Sequence, residues 1–128
     1  MGQTYSVMLK VKFTDEEGAK KALQTKLDRH EKERINYNLE HFKELGIGTD
    51  NLFDLMGIFF GGWNGKLTPD KNNERYYADF DACYGWESVM TDAFEEIAPY
   101  LADDSVIEIY PDSGCDRGIV QDSKCKWN

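Results

Sequence analysis

The chain begins with a stretch in which apolar and polar positions alternate. From Thr4 to Phe13 every second residue is apolar, and three of the four residues between them are serine or lysine. A period of two is typical of a β-strand with one face in the core. We therefore predict a half-buried strand over residues 4–13.

Helical spacing replaces this alternation after Thr14. Thr14 and Glu17 have the spacing of a capping box, so we predict a helix that begins at Asp15. Apolar residues recur with helical period as far as Leu45, apart from a fully polar stretch at residues 28–34. One long helix and two stacked helices both fit this pattern.

A short apolar segment follows two glycines at positions 46 and 48. Thr49 or Asp50 can cap a helix over residues 52–60, which is apolar nearly all round. The glycine-rich stretch at residues 61–65 indicates a turn with Trp63 exposed in it. Since it lacks the lysine and hydroxyl residue of a P-loop, we expect no nucleotide there, and no cofactor elsewhere.

The rest of the chain predicts three more strands and one helix. The strands cover residues 76–82, 105–110 and 117–125, and an amphipathic helix covers residues 86–97 until Pro99 disturbs its last turn. The order of elements indicates an α+β fold: a four-stranded antiparallel sheet with helices on one face, ferredoxin-like with an inserted helix. A meander after residue 75 is the competing topology. A chain of 128 residues is expected to form a single domain, residues 1–128.

Charge narrows the range of partners. The chain has 15 basic and 24 acidic residues, for a net charge of −9, and nearly all the excess lies after residue 45. Such a surface repels nucleic acid and anionic membranes and attracts basic proteins. Solubility alone is the other explanation of this charge. No apolar run is long enough to span a membrane, and we expect a cytoplasmic protein.

The three cysteines, Cys83, Cys115 and Cys125, are odd in number and form no metal-binding pair motif. We expect reduced thiols and no zinc site. Oxidative pairing of Cys115 with Cys125, across a possible hairpin, is the alternative.

Two sets of acidic residues are candidates for function. Asp79 and Asp81 leave one face of their strand, and Glu108 joins them if the third strand lies alongside. These carboxylates, if they converge, are hard ligands that suit Mg²⁺ or Ca²⁺; a solvated sheet face is the other interpretation. The second set covers the polar side of the helix at residues 86–97 and consists of Glu87, Asp92, Glu95 and Glu96.

Aromatic residues accompany these carboxylates. Trp63, Tyr77 and Trp127 are the rings we expect to be exposed. Aromatic rings beside carboxylates suit arginine- and lysine-rich partners, through cation–π contacts and ion pairs.

Residues 75–127 also resemble a known kind of protein. The features are the run Tyr76–Ala82, Trp86 at the strand–helix junction, the strand Ile107–Tyr110 and the turn into Arg117–Val120. In these features the segment resembles the ferredoxin-like domain of small accessory proteins from phages and plasmids. The resemblance implies a mobile-element setting, in which inhibitors of host defence nucleases recur, including anti-CRISPR proteins and DNA mimics.

The sequence therefore favours a non-enzymatic binding protein that docks on a basic protein and blocks its nucleic-acid site. We assign no catalytic residues, and expect neither nucleic acid nor a membrane as direct partner. A metal or small-molecule site at Asp79, Asp81 and Glu108 is the alternative function. A homodimer stays open, because ferredoxin-like sheets associate through a face or an edge.

Overall fold

The computed structural model describes residues 5–32, 39–60, 68–70, 75–77, 79–82, 86–110 and 114–127, and the side chains of residues 7–29, 39–60, 88–110 and 114–127. The helices in these ranges are α1 (Glu16–Lys32), α2 (Leu39–Glu44), α3 (Leu52–Phe60) and α4 (Trp86–Ile97), and a 3₁₀ turn (Ala98–Tyr100) follows α4. The strands are β1 (Tyr5–Lys10), β2 (Thr68–Asp70), β3 (Arg75–Tyr77), β4 (Asp79–Ala82), β5 (Val106–Tyr110), β6 (Asp116–Gln121) and β7 (Lys124–Trp127).

The sheet confirms the predicted α+β class. Five strands form an antiparallel sheet in the order β4-β1-β5-β6-β7, and β2 pairs with β3. One residue separates the end of strand β3 from the start of β4, and β3 also contacts β1. Following the pairs from β2 through β3 and β4 to β1 and β5 gives the strand order of a ferredoxin-like unit. Helices α1 to α3 occupy its first connection and α4 its second.

The C-terminal segment differs from the prediction. Residues 117–125 were expected as one strand, whereas β6 and β7 form a hairpin that adds a fifth strand to the sheet. Asp122 and Ser123, at its tip, have φ of 54° and 64°. Two consecutive left-handed residues define the tight turn whose twist suits a hairpin. The Asp122 N–H also donates to Asp103 Oδ1 at 3.0 Å, which ties the tip to the body of the fold.

The core lies between the sheet and the helices. Strand residues such as Val7, Leu9 and Ile109 are buried against helix residues such as Leu23 and Phe94. On the other side of the same strands the described side chains are half-buried or exposed, apart from Val106, which is buried. Directly paired residues share a face, so the register defines this second side, which we call the open sheet face. It comprises Ser6, Met8, Lys10, Asp79, Asp81, Val106, Glu108, Tyr110, Arg117, Ile119, Gln121, Lys124 and Lys126.

The start of α1 differs by one residue from the predicted capping box. The Asp15 carboxylate accepts the Gly18 N–H at 3.0 Å, and the Thr14 N–H donates to the Tyr100 carbonyl at 2.8 Å. Asp15 is the N-cap, because its carboxylate accepts a backbone N–H of the first turn of α1. Helix is confirmed over Glu16–Lys32 and Leu39–Glu44. The choice between one helix and two depends on residues 33–38, which lie outside the described residues.

Helix α3 is capped by Asn51 rather than by Thr49 or Asp50. Asn51 Oδ1 accepts the Asp54 N–H at 2.8 Å, and Asp54 Oδ2 accepts the Asn51 side-chain amide at 2.9 Å. This reciprocal pair satisfies a backbone N–H in the first turn of α3. The rest of the helix is nearly all buried. Among the described residues, no helix is both long enough and apolar enough to cross a membrane.

Candidate functional site

The predicted acidic residues fall into two sets on opposite sides of the molecule. Asp92, Glu95 and Glu96 project from α4, which packs on the helix-covered side of the sheet. Asp79, Asp81 and Glu108 occupy positions on the open sheet face. Because the sheet separates them, the two sets do not form a single acidic surface.

Helix spacing brings the α4 carboxylates together. Asp92, Glu95 and Glu96 recur at intervals of three and four residues, which places them on one stripe of the helix. Together with Lys26 of α1 they line an open pocket of about 340 Å³, which we call the acidic pocket. Lys26 is only 4% exposed, so its long side chain lies within the packing between the two helices.

Glu96 is held from the α1 side of the acidic pocket. Arg29 Nη2 lies 2.8 Å from Glu96 Oε1, and both side chains are partly exposed. An exposed ion pair of this kind contributes at most about 1 kcal/mol to stability. Its main effect is to fix the direction of the Glu96 carboxylate.

Glu95 is held from the sheet side by Trp127. The indole Nε1 donates to Glu95 Oε1 at 2.6 Å, and the indole packs edge-on against Phe94 with ring centroids 6.2 Å apart. Trp127, predicted to be exposed, is therefore half-buried. The prediction failed because it missed β7, which brings this residue back against α4.

A glycine makes room for the Trp127 ring. A Cβ atom at Gly118, opposite Trp127 in the register, would lie 2.7 Å from the indole. That distance is shorter than van der Waals contact, so only glycine permits this ring position. The sequence signal for the contact was this glycine inside a strand, which marks close approach of another group.

The chemistry of the acidic pocket suits a cationic group. Among the described residues at this pocket, three carboxylates outnumber two basic side chains, Lys26 in its lining and Arg29 paired with Glu96. A carboxylate has about four lone-pair positions, and Glu95 and Glu96 each use one in the bonds above. A guanidinium or ammonium group entering the pocket would form charge-assisted hydrogen bonds with carboxylates that are already oriented.

The second set has a different environment. Met8 of β1 pairs with Asp79 on one side and with Glu108 on the other. Strand β1 therefore lies between β4 and β5, and these two strands are not neighbours. Among the described residues, no three potential ligands group together to hold a metal ion. The metal alternative assumed that the strand of Glu108 lies beside the strand of Asp79 and Asp81, and the sheet does not have that pairing.

Glu108 has a partner of its own on the open sheet face. The Tyr110 hydroxyl donates to Glu108 Oε2, and this bond raises the pKa of Tyr110 to about 12. Tyr110 is 41% exposed, the only large hydrophobic side chain in the described part of the chain with such exposure. The sequence pattern gave no sign that Tyr110, rather than Trp127, would be the exposed ring.

Two further predicted site residues are located by their places in a strand and a helix. Tyr77 pairs with Thr68 in the register of β3 and β2, and Glu87 lies in the first turn of α4. Trp63 and Cys83 lie outside the described residues.

The two described cysteines do not approach one another. Cys125 pairs with Val120, and Cys115 lies five residues before Val120 along the same segment. At about 3.3 Å per residue the separation is roughly 16 Å, far beyond the ~7 Å limit for a disulfide. The alternative of oxidative pairing is therefore wrong, and both thiols are free. Burial raises the pKa of Cys125 to about 11, with a further contribution from Glu95.

Comparison with known proteins adds no relative. No protein-family model matches the chain, and no curated protein or solved structure is significantly similar to it.

Proposed function

We propose that this protein is a small, non-enzymatic binding protein whose acidic pocket docks on the basic surface of another protein. The observation that carries this proposal is the arrangement of Asp92, Glu95 and Glu96 around one open pocket, two of them held in place by Arg29 and Trp127. Oriented carboxylates lose little side-chain entropy on binding, which favours a lysine or arginine of the partner.

The partner class we propose is a nucleic-acid-binding enzyme. Proteins that bind nucleic acid present basic grooves to the phosphates, and a protein of net charge −9 is attracted to the same grooves. Docking there would inhibit the enzyme by excluding its nucleic acid. In a phage or mobile-element setting, this corresponds to an inhibitor of the anti-CRISPR or DNA-mimic type.

A peptide-binding experiment tests the acidic pocket. The affinity of a fluorescently labelled arginine-rich peptide is measured for the native protein and for the triple variant Asp92→Asn, Glu95→Gln, Glu96→Gln. Since a hydrogen bond to a charged group is worth about 1.5–3 kcal/mol, loss of these carboxylates should weaken binding at least about tenfold.

The matched control removes the same charge elsewhere. Glu40→Gln, Glu44→Gln, Asp50→Asn neutralises three exposed residues of α2 and the loop before α3. We expect this control to weaken peptide binding by less than about threefold, which general attraction accounts for. Equal losses in both variants would show that only net charge acts, and the pocket proposal would then be wrong.

Capture from host lysate tests the proposed partner class. The native protein and the pocket variant are used as bait, and captured proteins are challenged with duplex DNA. A basic protein that only the native bait retains, and that DNA releases, would support inhibition by mimicry. Retention by both baits would contradict it.

A further inference from the structure

Strand β7 forms an open edge of the five-stranded sheet. It is the last strand in the order β4-β1-β5-β6-β7, so one side of its backbone pairs with β6, and no strand in the described part of the chain pairs with the other side. Unpaired N–H and C=O groups at a sheet edge can accept a strand from another protein. Strand β7 is therefore a candidate docking edge.

The hairpin register shows which backbone groups of β7 point outwards. Gln121 and Lys124 flank a two-residue turn, so they exchange both of their backbone hydrogen bonds, and the exchange recurs two residues further on, at Lys126. In the intervening positions the N–H and C=O groups point away from the partner strand. The outward-pointing groups of β7 are therefore those of Cys125 and Trp127.

The helix-covered side of this edge is acidic. The side chain of Trp127 lies on that side, where its indole donates to Glu95 Oε1 at 2.6 Å. Glu95 also contributes to the raised pKa of Cys125, the other β7 residue on that side. Asp92 lies on the same stripe of α4 and lines the acidic pocket together with Glu95. Side chains of an added strand that face α4 therefore lie beside carboxylates and should be basic.

The open sheet face has the opposite charge along this edge. Lys124 and Lys126 lie on it and are both exposed, and Arg117 lies on the same face of the neighbouring strand β6. Residues directly opposite each other in an antiparallel pair come close enough to interact, and opposite charges are favourable there. Side chains of an added strand that lie on the open sheet face should therefore be acidic.

These charges disfavour a second copy of the chain as the added strand. Antiparallel pairing of two β7 strands places lysines opposite lysines on the open sheet face, and like charges in that position are destabilising. On the helix-covered side it brings two acidic α4 helices towards each other. Lysines on an edge strand are a common protection against self-pairing. The edge therefore suits a foreign segment whose side chains alternate in charge.

We propose that β7 captures an extended segment of the partner as an additional antiparallel strand, in which basic residues alternate with acidic ones. The basic residues lie opposite Cys125 and Trp127 and reach the carboxylates of α4, and the acidic residues lie beside the β7 lysines. All strand pairs in the described sheets are antiparallel, which is also the slightly more stable pairing. This inference rests on the proposed function, since the acidic pocket supplies the contacts to the basic side chains.

Backbone methylation of a peptide tests the pairing. A fluorescently labelled peptide in which four arginines alternate with three glutamates is prepared unmodified, N-methylated at the arginines, and N-methylated at the glutamates. In the antiparallel pair, residues opposite Cys125 and Trp127 donate their own N–H groups to β7, whereas the N–H groups of the intervening residues point to solvent. Methylation of the arginines should weaken binding at least about tenfold, and methylation of the glutamates by less than about threefold.

Two controls separate alternation from net charge. A peptide of the same composition in two blocks, four arginines followed by three glutamates, should bind about threefold or more weakly than the alternating peptide. The variant Lys124→Gln with Lys126→Gln should weaken binding of the alternating peptide by a similar factor of about three. The matched variant Lys21→Gln with Lys43→Gln removes the same charge at exposed helix positions and should not weaken it.

Amide hydrogen exchange locates the bound peptide. With the unmodified peptide at about ten times its dissociation constant, the N–H groups of Cys125 and Trp127 should exchange roughly tenfold more slowly than in the free protein. Binding of the peptide with unchanged exchange at these two residues, or equal binding of the two methylated forms, would overturn the proposal.

The same peptides distinguish failure of strand addition from failure of the proposed function. If the pocket variant Asp92→Asn, Glu95→Gln, Glu96→Gln loses binding while methylation of the arginines has no effect, the acidic pocket stands and strand addition is wrong. If no form of the alternating peptide binds, strand addition is wrong, and the arginine-rich peptide still decides the acidic pocket. If the pocket variant binds the alternating peptide as the native protein does, the contacts to α4 are wrong and both proposals fall.

Discussion

At the scale of single residues, the pair formed by Tyr110 and Glu108 makes the stability of the fold depend on pH. The Glu108 carboxylate accepts a hydrogen bond from the Tyr110 hydroxyl, which favours the protonated phenol and raises the pKa of Tyr110 to about 12. The unfolded chain ionises this tyrosine near pH 10. Between these values the unfolded state binds fewer protons than the folded state, so this pair's contribution to stability is present below pH 10 and is lost as pH rises towards 12.

The first prediction concerns this pair. In the variant Glu108→Gln we expect the pKa of Tyr110 to fall towards 10, because the negative acceptor is lost. Ultraviolet titration of phenolate absorbance measures it, with Tyr110→Phe subtracted to isolate one of the seven tyrosines. An unchanged titration curve in Glu108→Gln would show that the hydrogen bond does not set this pKa.

Single residues also show where sequence reasoning succeeded and where it failed. Val7, Leu9 and Val11 were predicted on one side of a strand by alternation alone, and all three are buried. The bond between Trp127 and Glu95 joins residues 32 positions apart and depends on a hairpin that the pattern did not reveal. Local periodicity encodes which residues are buried, whereas contacts between distant side chains follow from the packing of whole elements.

At the scale of elements, the β6–β7 hairpin decides the shape of the candidate site. It adds the fifth strand and delivers Trp127 to α4. Its turn nevertheless contains Asp122 and Ser123, both left-handed, where asparagine and glycine are the preferred residues. A serine in this conformation costs roughly 1 kcal/mol.

The second prediction follows from this turn. Ser123→Gly should raise the free energy of unfolding by about 0.5–1 kcal/mol, because glycine adopts positive φ without strain. Chemical denaturation measures the change, and Ser123→Val, which is β-branched, should lower stability instead. If Ser123→Gly were no more stable than the native protein, the turn would not be strained as described.

Elements also explain which helix ends could be predicted. The capping-box pattern located the start of α1 to within one residue but named Thr14, whose N–H is occupied by the Tyr100 carbonyl. Helix α3 was predicted with its bounds correct, while Asn51 caps it through a side-chain pair with Asp54. Several neighbouring polar residues can cap a helix equally well in sequence, and the tertiary partners select among them.

At the scale of the whole molecule, the fold class was more accessible to sequence than the site. The order of strands and helices gave the ferredoxin-like arrangement, since few topologies accommodate that order. The distribution of charge was not accessible, because residues that are close in the sequence, such as Glu87 of α4 and Asp81 of β4, belong to different layers. Assigning the acidic residues to one surface required knowing which side of the sheet each faces.

This division of charge makes salt the most informative variable for the whole protein. With net charge −9 the folded monomer repels itself, and salt screens that repulsion. Between about 20 and 300 mM NaCl, over which the screening length falls from roughly 20 to 6 Å, we expect the melting temperature to rise by a few degrees. Over the same range, binding of an arginine-rich peptide should weaken, since it depends on attraction between opposite charges. Thermal melts measure this rise in melting temperature, which should vanish near the isoelectric point. Stability and association that weakened together would indicate that internal ion pairs, such as Arg29 with Glu96, outweigh the excess negative charge in holding the fold.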